Sequence, residues 1–547
     1  MTRTARKTVA RIIADSLVAA EITHAFAVPG ESYLALLDAM VDVADRLRLV
    51  TCRHEAAAAN MAEAAAKLSG RPGIAMVTRG PGAAHAAIGL HTAQQDSTPM
   101  LLLVGQVGQD MLGREAFQEI DYGQMFGRIA KRVVTLSEPD RTAELMASAL
   151  SCAMSGRPGP VVVVLPDDRL NAPAGCTACA PTAIIPAGIA PAAIAEVGAL
   201  LEVAERPLLM LGGPLWTTAD AARAQAAAER LGLPVVTSWR RKDRFDNSHA
   251  HYAGELGLGA NPALLAAAAE ADLLLVLGAR LTENATQGYG LFDTAFGLER
   301  LVHICADPEA LGRTWQPRLA IHAAVGPALE ALCTLPAHDR PGWVSRLHAL
   351  HRAWIQPTAV SAGVNPADVI RTLSDRLPAD TIFCNGAGNF AAWLHRFHLH
   401  RSPFTQLAPT SGAMGYGVPA GIAAAIMHPD RQAVVIAGDG DFLMAAGELA
   451  TVMHEGARPL FVVLDNGQYG TIRMHQARDF PGRRSGTGLT NPDFAALARS
   501  FGLHAETVRQ TAEFAPALGR SLGRAALIHV FVDPDEISPG RRLEPGQ

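Results

Sequence analysis

The sequence of 547 residues has few charged side chains and no excess of either sign. Only 18% of its residues are Asp, Glu, Lys or Arg, below the roughly 25% that is usual for soluble domains. The 47 basic and 52 acidic residues give a formal net charge of −5, whereas nucleic-acid-binding proteins show a basic excess. We therefore expect no nucleic-acid partner and no polybasic membrane surface. The low charge favours large buried areas, including contacts between subunits.

The sequence also lacks long apolar runs and a disulfide framework. Its apolar runs, such as 161–165 and 273–277, are far shorter than the roughly 18 residues that cross a bilayer. Asp15 and Glu21 interrupt the apolar core that a secretory signal would need. The seven cysteines are odd in number and scattered, which favours reduced thiols. We therefore expect a cytoplasmic protein without a membrane segment.

Short β-branched runs alternate with Ala-rich helical stretches along the whole chain. This alternation is typical of α/β folds with parallel sheets flanked by helices. A Pro- and Ala-rich stretch between about 171 and 191 and a Pro-, His- and Arg-containing stretch after 335 separate three blocks. The sequence thus predicts three doubly wound parallel-sheet domains, at residues 1–172, 190–335 and 360–535.

The most informative motif lies in the third block. An apolar run leads into Gly438-Asp439-Gly440-Asp441, a helical stretch follows, and a second apolar run ends at Asp465-Asn466. In a right-handed βαβ unit both loops lie at the carboxyl edge of the sheet, where α/β folds bind ligands. Asp439 and Asn466 offer the hard oxygen atoms that Mg²⁺ prefers. Alone, the Gly-Asp-Gly tripeptide would be an ordinary turn, but its context favours a metal and phosphate site.

This constellation resembles the diphosphate and metal motif of thiamine diphosphate-dependent enzymes. The resemblance implies a Mg²⁺ site formed by Asp439, Asn466 and the backbone carbonyl of Gln468, in a diphosphate-binding domain. It places a bulky apolar side chain, here Met414, beneath the cofactor, where it bends the two rings into a V. It further implies cofactor contacts from a larger set of positions. These are Pro29, Gly30, Gly82, Phe117, Gly412, Met414, Gly438, Asp439, Gly440, Asp441, Asn466, Tyr469 and Gly470.

A second motif, Arg53-His54-Glu55-Ala56-Ala57, lies in the first block after an apolar run. By itself, a Glu at the start of a helix is usually a cap or a partner of the helix dipole. Together with the third-block motif, the segment resembles the one that carries the activating glutamate of the thiamine diphosphate family. The resemblance implies that Glu55 hydrogen-bonds the pyrimidine ring of the cofactor and promotes loss of the thiazolium C2 proton. The first block would then be the pyrimidine-binding domain.

Further segments resemble the acetolactate synthase branch of this family. The pair Phe117-Gln118 matches a pair that borders the reaction centre, so Gln118 is expected to contact cofactor or intermediate. Acetolactate synthases have Gly where this chain has Glu31, and pyruvate decarboxylases use an acidic residue there in proton transfer, so Glu31 is a candidate acid or base. His475 stands near the position of a Trp that selects the second 2-oxo acid.

The resemblance implies an acetolactate synthase-like enzyme that decarboxylates a 2-oxo acid and ligates the product, using thiamine diphosphate and Mg²⁺. The alternatives are a decarboxylase or related C–C lyase that does not ligate and, more remotely, a non-catalytic nucleotide-binding module. FAD is possible because the middle block keeps Gly278 and Arg280 of FAD-binding relatives, although the acidic pair that follows is lost. The family's active site lies between subunits, so a homodimer or homotetramer is expected.

Overall fold

The computed structural model describes residues 6–544, so residues 1–5 of the predicted first domain lie outside the described residues. Three six-stranded sheets form the framework, and their neighbouring strands run parallel. Helices connect most of the successive strands, as is usual for crossovers between parallel strands. The predicted α/β class with three parallel sheets is confirmed.

The first sheet has the strand order β2-β1-β3-β4-β6-β5. Its strands are β1 (His24–Ala27), β2 (Arg48–Thr51), β3 (Gly73–Val77), β4 (Met100–Gln106), β5 (Arg132–Thr135) and β6 (Pro160–Pro166). The accompanying helices are α1 (Val9–Ala19), α2 (Leu34–Val41), α3 (Glu55–Ser69), α4 (Gly80–Asp96), α5 (Tyr122–Phe126), α6 (Thr142–Met154) and α7 (Asp167–Leu170). Strands β3, β4 and β6 are buried along their whole length, which explains their continuous apolar sequence.

The central sheet has the order β12-β11-β10-β7-β8-β9. Its strands are β7 (Pro207–Leu211), β8 (Val235–Ser238), β9 (Tyr252–Leu256), β10 (Leu273–Leu277), β11 (Leu301–Cys305) and β12 (Leu319–His322). Its helices are α8 (Pro191–Val203), α9 (Thr218–Leu231), α10 (Pro262–Ala269), α11 (Thr294–Arg300), α12 (Val325–Leu332) and α13 (Pro341–Trp354). The strand order reverses between β7 and β10, as in dinucleotide-binding folds.

The third sheet has the order β14-β13-β15-β16-β18-β17. Its strands are β13 (Ile382–Asn385), β14 (Gln406–Leu407), β15 (Ala433–Gly438), β16 (Leu460–Asp465), β17 (His504–Val508) and β18 (Ala526–Phe531). The helices of this part of the chain are α14 (Pro366–Arg376), α15 (Phe390–Phe397), α16 (Gly417–Met427), α17 (Asp439–Leu443), α18 (Leu449–Glu455), α19 (Gly470–Asp479), α20 (Phe494–Ser500) and α21 (Thr511–Ser521). A short hairpin of β19 (Glu536–Ser538) and β20 (Arg541–Arg542) follows.

The first and third sheets share one topology. Counted from the first strand of each, both have the order 2-1-3-4-6-5, whereas the central sheet has the order 6-5-4-1-2-3.

The contacts within the chain divide it into two compact units. The first unit comprises Met1–Ile184, Pro409–Asp430 and Met444–Pro459, and the second comprises Ile185–Ala408, Arg431–Leu443 and Leu460–Gln547. The first unit thus holds the first sheet together with α16 and α18, and the second holds the central and third sheets. Across residues 6–544, the helices are too short or too polar to cross a membrane.

Candidate active site

Glu55 occupies the first turn of α3, close after the end of β2. The intervening loop is held by Glu448, whose Oε1 accepts hydrogen bonds from the backbone N–H groups of Arg53 and His54, both at 2.9 Å. Thr451 donates its hydroxyl to Glu448 Oε2 at 2.6 Å. Glu448 is only 1% exposed, and burial raises the pKa of its carboxyl group. A buried acceptor therefore fixes the backbone immediately before Glu55.

Two imidazole groups lie beside the Glu55 carboxylate. Nδ1 of His54 accepts the N–H of Ala56 at 3.1 Å and so caps α3. Nδ1 of His85, on α4, lies 2.8 Å from Oε2 of Glu55. Burial, and then the charge of Glu55, raise the pKa of the Tyr33 hydroxyl. The helix start that the sequence predicted for Glu55 is present, with partners that the sequence did not reveal.

The loop between β3 and α4 brings several predicted cofactor positions together. A Cβ added to Gly82 would lie 3.4 Å from Glu55 Oε1, and one added to Gly30 would lie only 2.6 Å from Thr78 Cβ. Gly80 donates its N–H to the carbonyl of Gln118 at 3.0 Å. Gln118 has a φ of 64°, a strained conformation for a residue with a side chain. Gly30, Gly82 and Gln118 thus surround one loop next to Glu55.

Other predicted residues of the first unit lie more openly. The side chain of Phe117 is 72% exposed, and its carbonyl lies 3.5 Å from Arg79 Nη1. Glu31 is exposed in a short 3-10 turn that follows Pro29 and Gly30. Both side chains are exposed within this chain, so their contacts here neither support nor oppose their proposed roles.

The segment that carries Gly412 and Met414 is fixed to α3 and α4 by buried polar groups. Tyr416 donates its hydroxyl to Glu63 at 2.5 Å, and Glu63 also pairs with Lys67 at 2.8 Å. Lys67 in turn lies 3.0 Å from Asp96, which accepts the N–H of Thr410. The same segment leaves Gly412 exposed with a φ of 70° and Met414 half-buried.

In the second unit, Asp439 directly follows β15, as the sequence predicted, but helix α17 begins at Asp439 itself rather than after the glycine-containing loop. Its side chain is 3% exposed. Burial, together with the nearby charge of Asp465, raises the pKa of Asp439 to about 6. A buried carboxylate whose charge is disfavoured in this way is stabilised by a cation at its oxygen atoms.

Asp465 ends β16, the neighbouring strand, and shares a partner with Asp439. Nδ2 of Asn491 donates to Asp439 Oδ2 at 2.6 Å and to Asp465 Oδ1 at 2.8 Å. Nε2 of His529 lies 2.8 Å from the other oxygen of Asp465. Burial opposes ionisation of Asp465, but the hydrogen bonds from His529, Asn491 and the Gly467 N–H lower its pKa below the ordinary value.

The loop after β16 carries the remaining predicted ligands. Oδ1 of Asn466 accepts the N–H of Gln468 at 3.3 Å. The side chain of Gln468 donates to the carbonyl of Pro534 and accepts from Arg484, so it holds the loop in place. A Cβ on Gly470 would come within 3.0 Å of Asn466 Nδ2. His475 is half-buried further along α19.

The glycines beside Asp439 are required by close contacts. A Cβ on Gly440 would lie 2.6 Å from the Tyr469 ring, and one on Gly438 would lie 2.8 Å from the Phe390 ring. Asp441 Oδ1 accepts the N–H of Ala387 at 3.1 Å. Gly438, Gly440, Asp441, Tyr469 and Gly470 therefore converge on the strand ends that carry Asp439 and Asn466.

The donor set at this edge fits a magnesium ion and a phosphorylated cofactor. Asp439 supplies a carboxylate, Asn466 an amide oxygen, and Oδ1 of Asn491 is buried without a hydrogen-bond partner among residues 6–544. Mg²⁺ prefers such oxygen ligands and usually binds together with substrate or cofactor phosphates.

Four polar residues of these two sites carry no motif that predicts their roles from the sequence. Glu448 and His85 contact the segment around Glu55, and Asn491 and His529 contact the carboxylates near Asp439. Only the short sequence distance from Asn466 to Asn491 could have suggested one of them.

Parallel sheets with acidic and glycine-containing loops at the carboxyl ends of their strands are typical of α/β enzymes that bind a phosphorylated cofactor, and comparison with known proteins agrees. Three domain models described for thiamine pyrophosphate enzymes match the chain: the N-terminal TPP binding domain at residues 7–125, the central domain at 194–332 and the C-terminal TPP binding domain at 386–530.

Relatives match most of the chain. It is 31% identical over 545 residues to the acetolactate synthase large subunit of Corynebacterium glutamicum, covering 94% of this chain and 85% of that protein. It is 29% identical over 529 residues to the acetolactate synthase isozyme 2 large subunit of Escherichia coli, covering 96% and 95%. The chain belongs to the thiamine pyrophosphate enzyme family and, within it, is similar to the large subunits of acetolactate synthase. The predicted resemblance and enzyme class are confirmed, and the cofactor is thiamine diphosphate.

Proposed function

We propose that this enzyme decarboxylates a 2-oxo acid and joins the remaining fragment to a second carbonyl compound, as an acetolactate synthase does. The observation that carries the proposal is the pair of loops at the edge of the third sheet, where Asp439 and Asn466 directly follow the neighbouring strands β15 and β16. Thiamine diphosphate, when bound, supplies a nucleophilic carbon that adds to a carbonyl group and accepts the electrons released with CO₂.

In this proposal Asp439, Asn466 and the Gln468 carbonyl hold Mg²⁺, which binds the diphosphate of the cofactor. Gly440 and Gly470 would allow the backbone to approach the phosphates, and Met414 would contact the rings of the cofactor. The buried Asp439 supports this role because its carboxylate, disfavoured by burial, gains from a cation.

Glu55 is the proposed activating residue. Its carboxylate hydrogen-bonds the pyrimidine ring of the cofactor and thereby favours removal of the C2 proton. A carboxylate suits this task because it accepts a strong, charge-assisted hydrogen bond. The Glu448 contacts to Arg53 and His54 support it by fixing the backbone before Glu55.

We further propose a homodimer, or a dimer of such dimers, in which Glu55 of one chain serves a cofactor held by the metal site of another. Exposed apolar side chains in the first unit, including Leu34 at 61% and Val41 at 73% exposure, support an association surface. A cytoplasmic location stays a prediction.

Gln118, Glu31 and His475 are the proposed substrate-side residues. The exposed carboxylate of Glu31 favours a second candidate function, a decarboxylase that protonates its product instead of ligating it. FAD in the central domain stays a prediction. Gly213 and Gly278 pack against each other at the point where the strand order reverses, and the visible absorption spectrum of the purified enzyme tests for the flavin.

The proposed function is tested in two steps. Mass spectrometry of the purified protein should detect thiamine diphosphate, and a screen of 2-oxo acids, with and without carbonyl acceptors, should yield CO₂ and a coupled product. Release of CO₂ with only an aldehyde would support the decarboxylase instead. Glu55→Gln should slow deuterium exchange at C2 of the bound cofactor by at least about a hundredfold, with little loss of cofactor affinity. Unchanged exchange would refute the role of Glu55.

A further inference from the structure

The imidazole of His85 contacts the carboxylate on which the proposed chemistry depends. Its Nδ1 lies 2.8 Å from Glu55 Oε2, and the side chains of His85 and Glu55 are 53% and 14% exposed. The ring of His54 stacks on that of His85, with centroids 4.5 Å apart and planes inclined by 28°. We call these three side chains the His54–Glu55–His85 cluster.

The donor atoms of this cluster lie within 4.8 Å of one another, a spacing that could also suit a metal ion. The hydrogen bond that caps α3 argues against that use. Nδ1 of His54 accepts the N–H of Ala56, so the neutral ring carries its proton on Nε2. Neither nitrogen of His54 can then ligate a metal ion without loss of the cap, and hydrogen bonding accounts for the cluster more simply.

The direction of this hydrogen bond follows from the charge state of Glu55. When Glu55 is ionised, its carboxylate only accepts hydrogen bonds, and Nδ1 of His85 then donates the proton of the contact to Oε2. The other oxygen, Oε1, faces Gly82, where an added Cβ would lie 3.4 Å away. One oxygen of Glu55 is thus held by the protein, while the other lies beside a predicted cofactor position.

Both partners stand on helices that pack closely. A Cβ added to Gly89 on α4 would lie 2.4 Å from Ala59 Cβ and 2.8 Å from its backbone carbon on α3. Such a close approach leaves the two helices little freedom to shift. His85, one turn before Gly89, is therefore held in a constant position relative to Glu55.

We propose that His85 is a positioning residue for Glu55. It holds Oε2 so that Oε1 points to the pyrimidine ring, and its hydrogen bond stabilises the ionised carboxylate. The inference rests on the proposed function, because it takes Glu55 to be the activating residue.

The test compares three variants at saturating thiamine diphosphate and Mg²⁺. His85→Leu removes the donor, whereas His85→Asn keeps an N–H at the same distance from Cβ, since the Asn amide nitrogen and His Nδ1 are both bonded to Cγ. His91→Ala, on the exposed face of the same helix, is the control. We expect His85→Leu to slow C2 deuterium exchange about tenfold, the effect typical of losing an outer-sphere hydrogen bond. His85→Asn and His91→Ala should remain close to wild type, and cofactor affinity should change little in all three.

A second readout needs no cofactor. In the cofactor-free protein labelled with ¹⁵N-histidine, the signals lost in His85→Asn identify His85. We expect their shifts to show a proton on Nδ1, and Glu55→Ala should change them. A ring protonated only on Nε2 would overturn the proposal.

The outcomes separate this inference from the proposed function. If Glu55→Gln slows exchange but His85→Leu exchanges as fast as wild type, the role of His85 is refuted and that of Glu55 stands. If Glu55→Gln also exchanges at the wild-type rate, both fall. Stoichiometric zinc in the purified wild type, absent from His85→Leu, would overturn the hydrogen-bond role in favour of a metal site.

Discussion

Replacing Glu448 should release the backbone before Glu55. In Glu448→Ala, the N–H groups of Arg53 and His54 and the hydroxyl of Thr451 lose their common acceptor. Each orphaned buried donor costs about 1–3 kcal/mol. Arg53 and His54 are exposed residues and can recruit water, so the lower end applies, and the local loss is about 2–4 kcal/mol in total.

Glu448→Gln is the matched control. Its amide oxygen can still accept from both backbone N–H groups, and its amide nitrogen can donate to Thr451. Burial raises the pKa of Glu448, so replacing the carboxyl group with a neutral amide removes a charge that burial already disfavours. We therefore expect Gln to cost about 1 kcal/mol or less, the net value of one ordinary hydrogen bond.

Amide hydrogen exchange followed by mass spectrometry measures the effect in the cofactor-free protein. Peptides that contain Arg53 and His54 should exchange at least about tenfold faster in Glu448→Ala, since 1.4 kcal/mol corresponds to a factor of ten. They should exchange at nearly the wild-type rate in Glu448→Gln. Wild-type protection in the Ala variant would refute the reasoning, and so would equal loss of protection in both variants.

Three further predictions concern the second unit. Burial raises the pKa of Asp439 to about 6, so protons compete with Mg²⁺ below that pH. Calorimetry should find the Mg²⁺ affinity about tenfold lower at pH 5 than at pH 7. An affinity that does not change with pH would contradict this prediction. Asn491→Ala should leave Asp439 and Asp465 without their shared donor and weaken cofactor-dependent Mg²⁺ binding. Asn491→Gln should recover part of that binding. Equal Mg²⁺ binding in the wild type and both variants would count against this prediction. Lys242→Met leaves the buried carbonyls of His395 and His398 without their charged donor. It should cost about 2–4 kcal/mol, because hydrogen bonds to charged groups contribute about 1.5–3 kcal/mol each. An unchanged melting temperature would disprove it.

The local parts of both sites could be predicted from the sequence. Asp439 and Asn466 follow apolar runs, and the right-handed crossover between parallel strands brings the ends of such runs to one edge. Glu55 follows a strand and precedes an Ala-rich stretch, and this pattern predicts its position at the start of a helix. In each case the residues that define the geometry lie within a few positions of the motif.

The partners of these residues could not be predicted, because long-range contacts fix them. Glu448 lies 394 residues from His54 and 395 from Arg53, and no pattern in either segment points to the other. His85 lies in a helical stretch whose contact with α3 depends on the close approach at Gly89. Asn491 reaches the carboxylates from a loop without helix or strand periodicity.

Mixing two inactive variants tests the central claim most directly. Glu55→Gln and Asp439→Ala are each expected to abolish activity, since each removes one half of the proposed site. When equal amounts are unfolded and refolded together, random pairing makes half of the dimers mixed, and each mixed dimer holds one intact site, so about a quarter of wild-type activity should return. If mixed dimers form but show no activity, then Glu55 and Asp439 do not meet across two chains, and the account is contradicted.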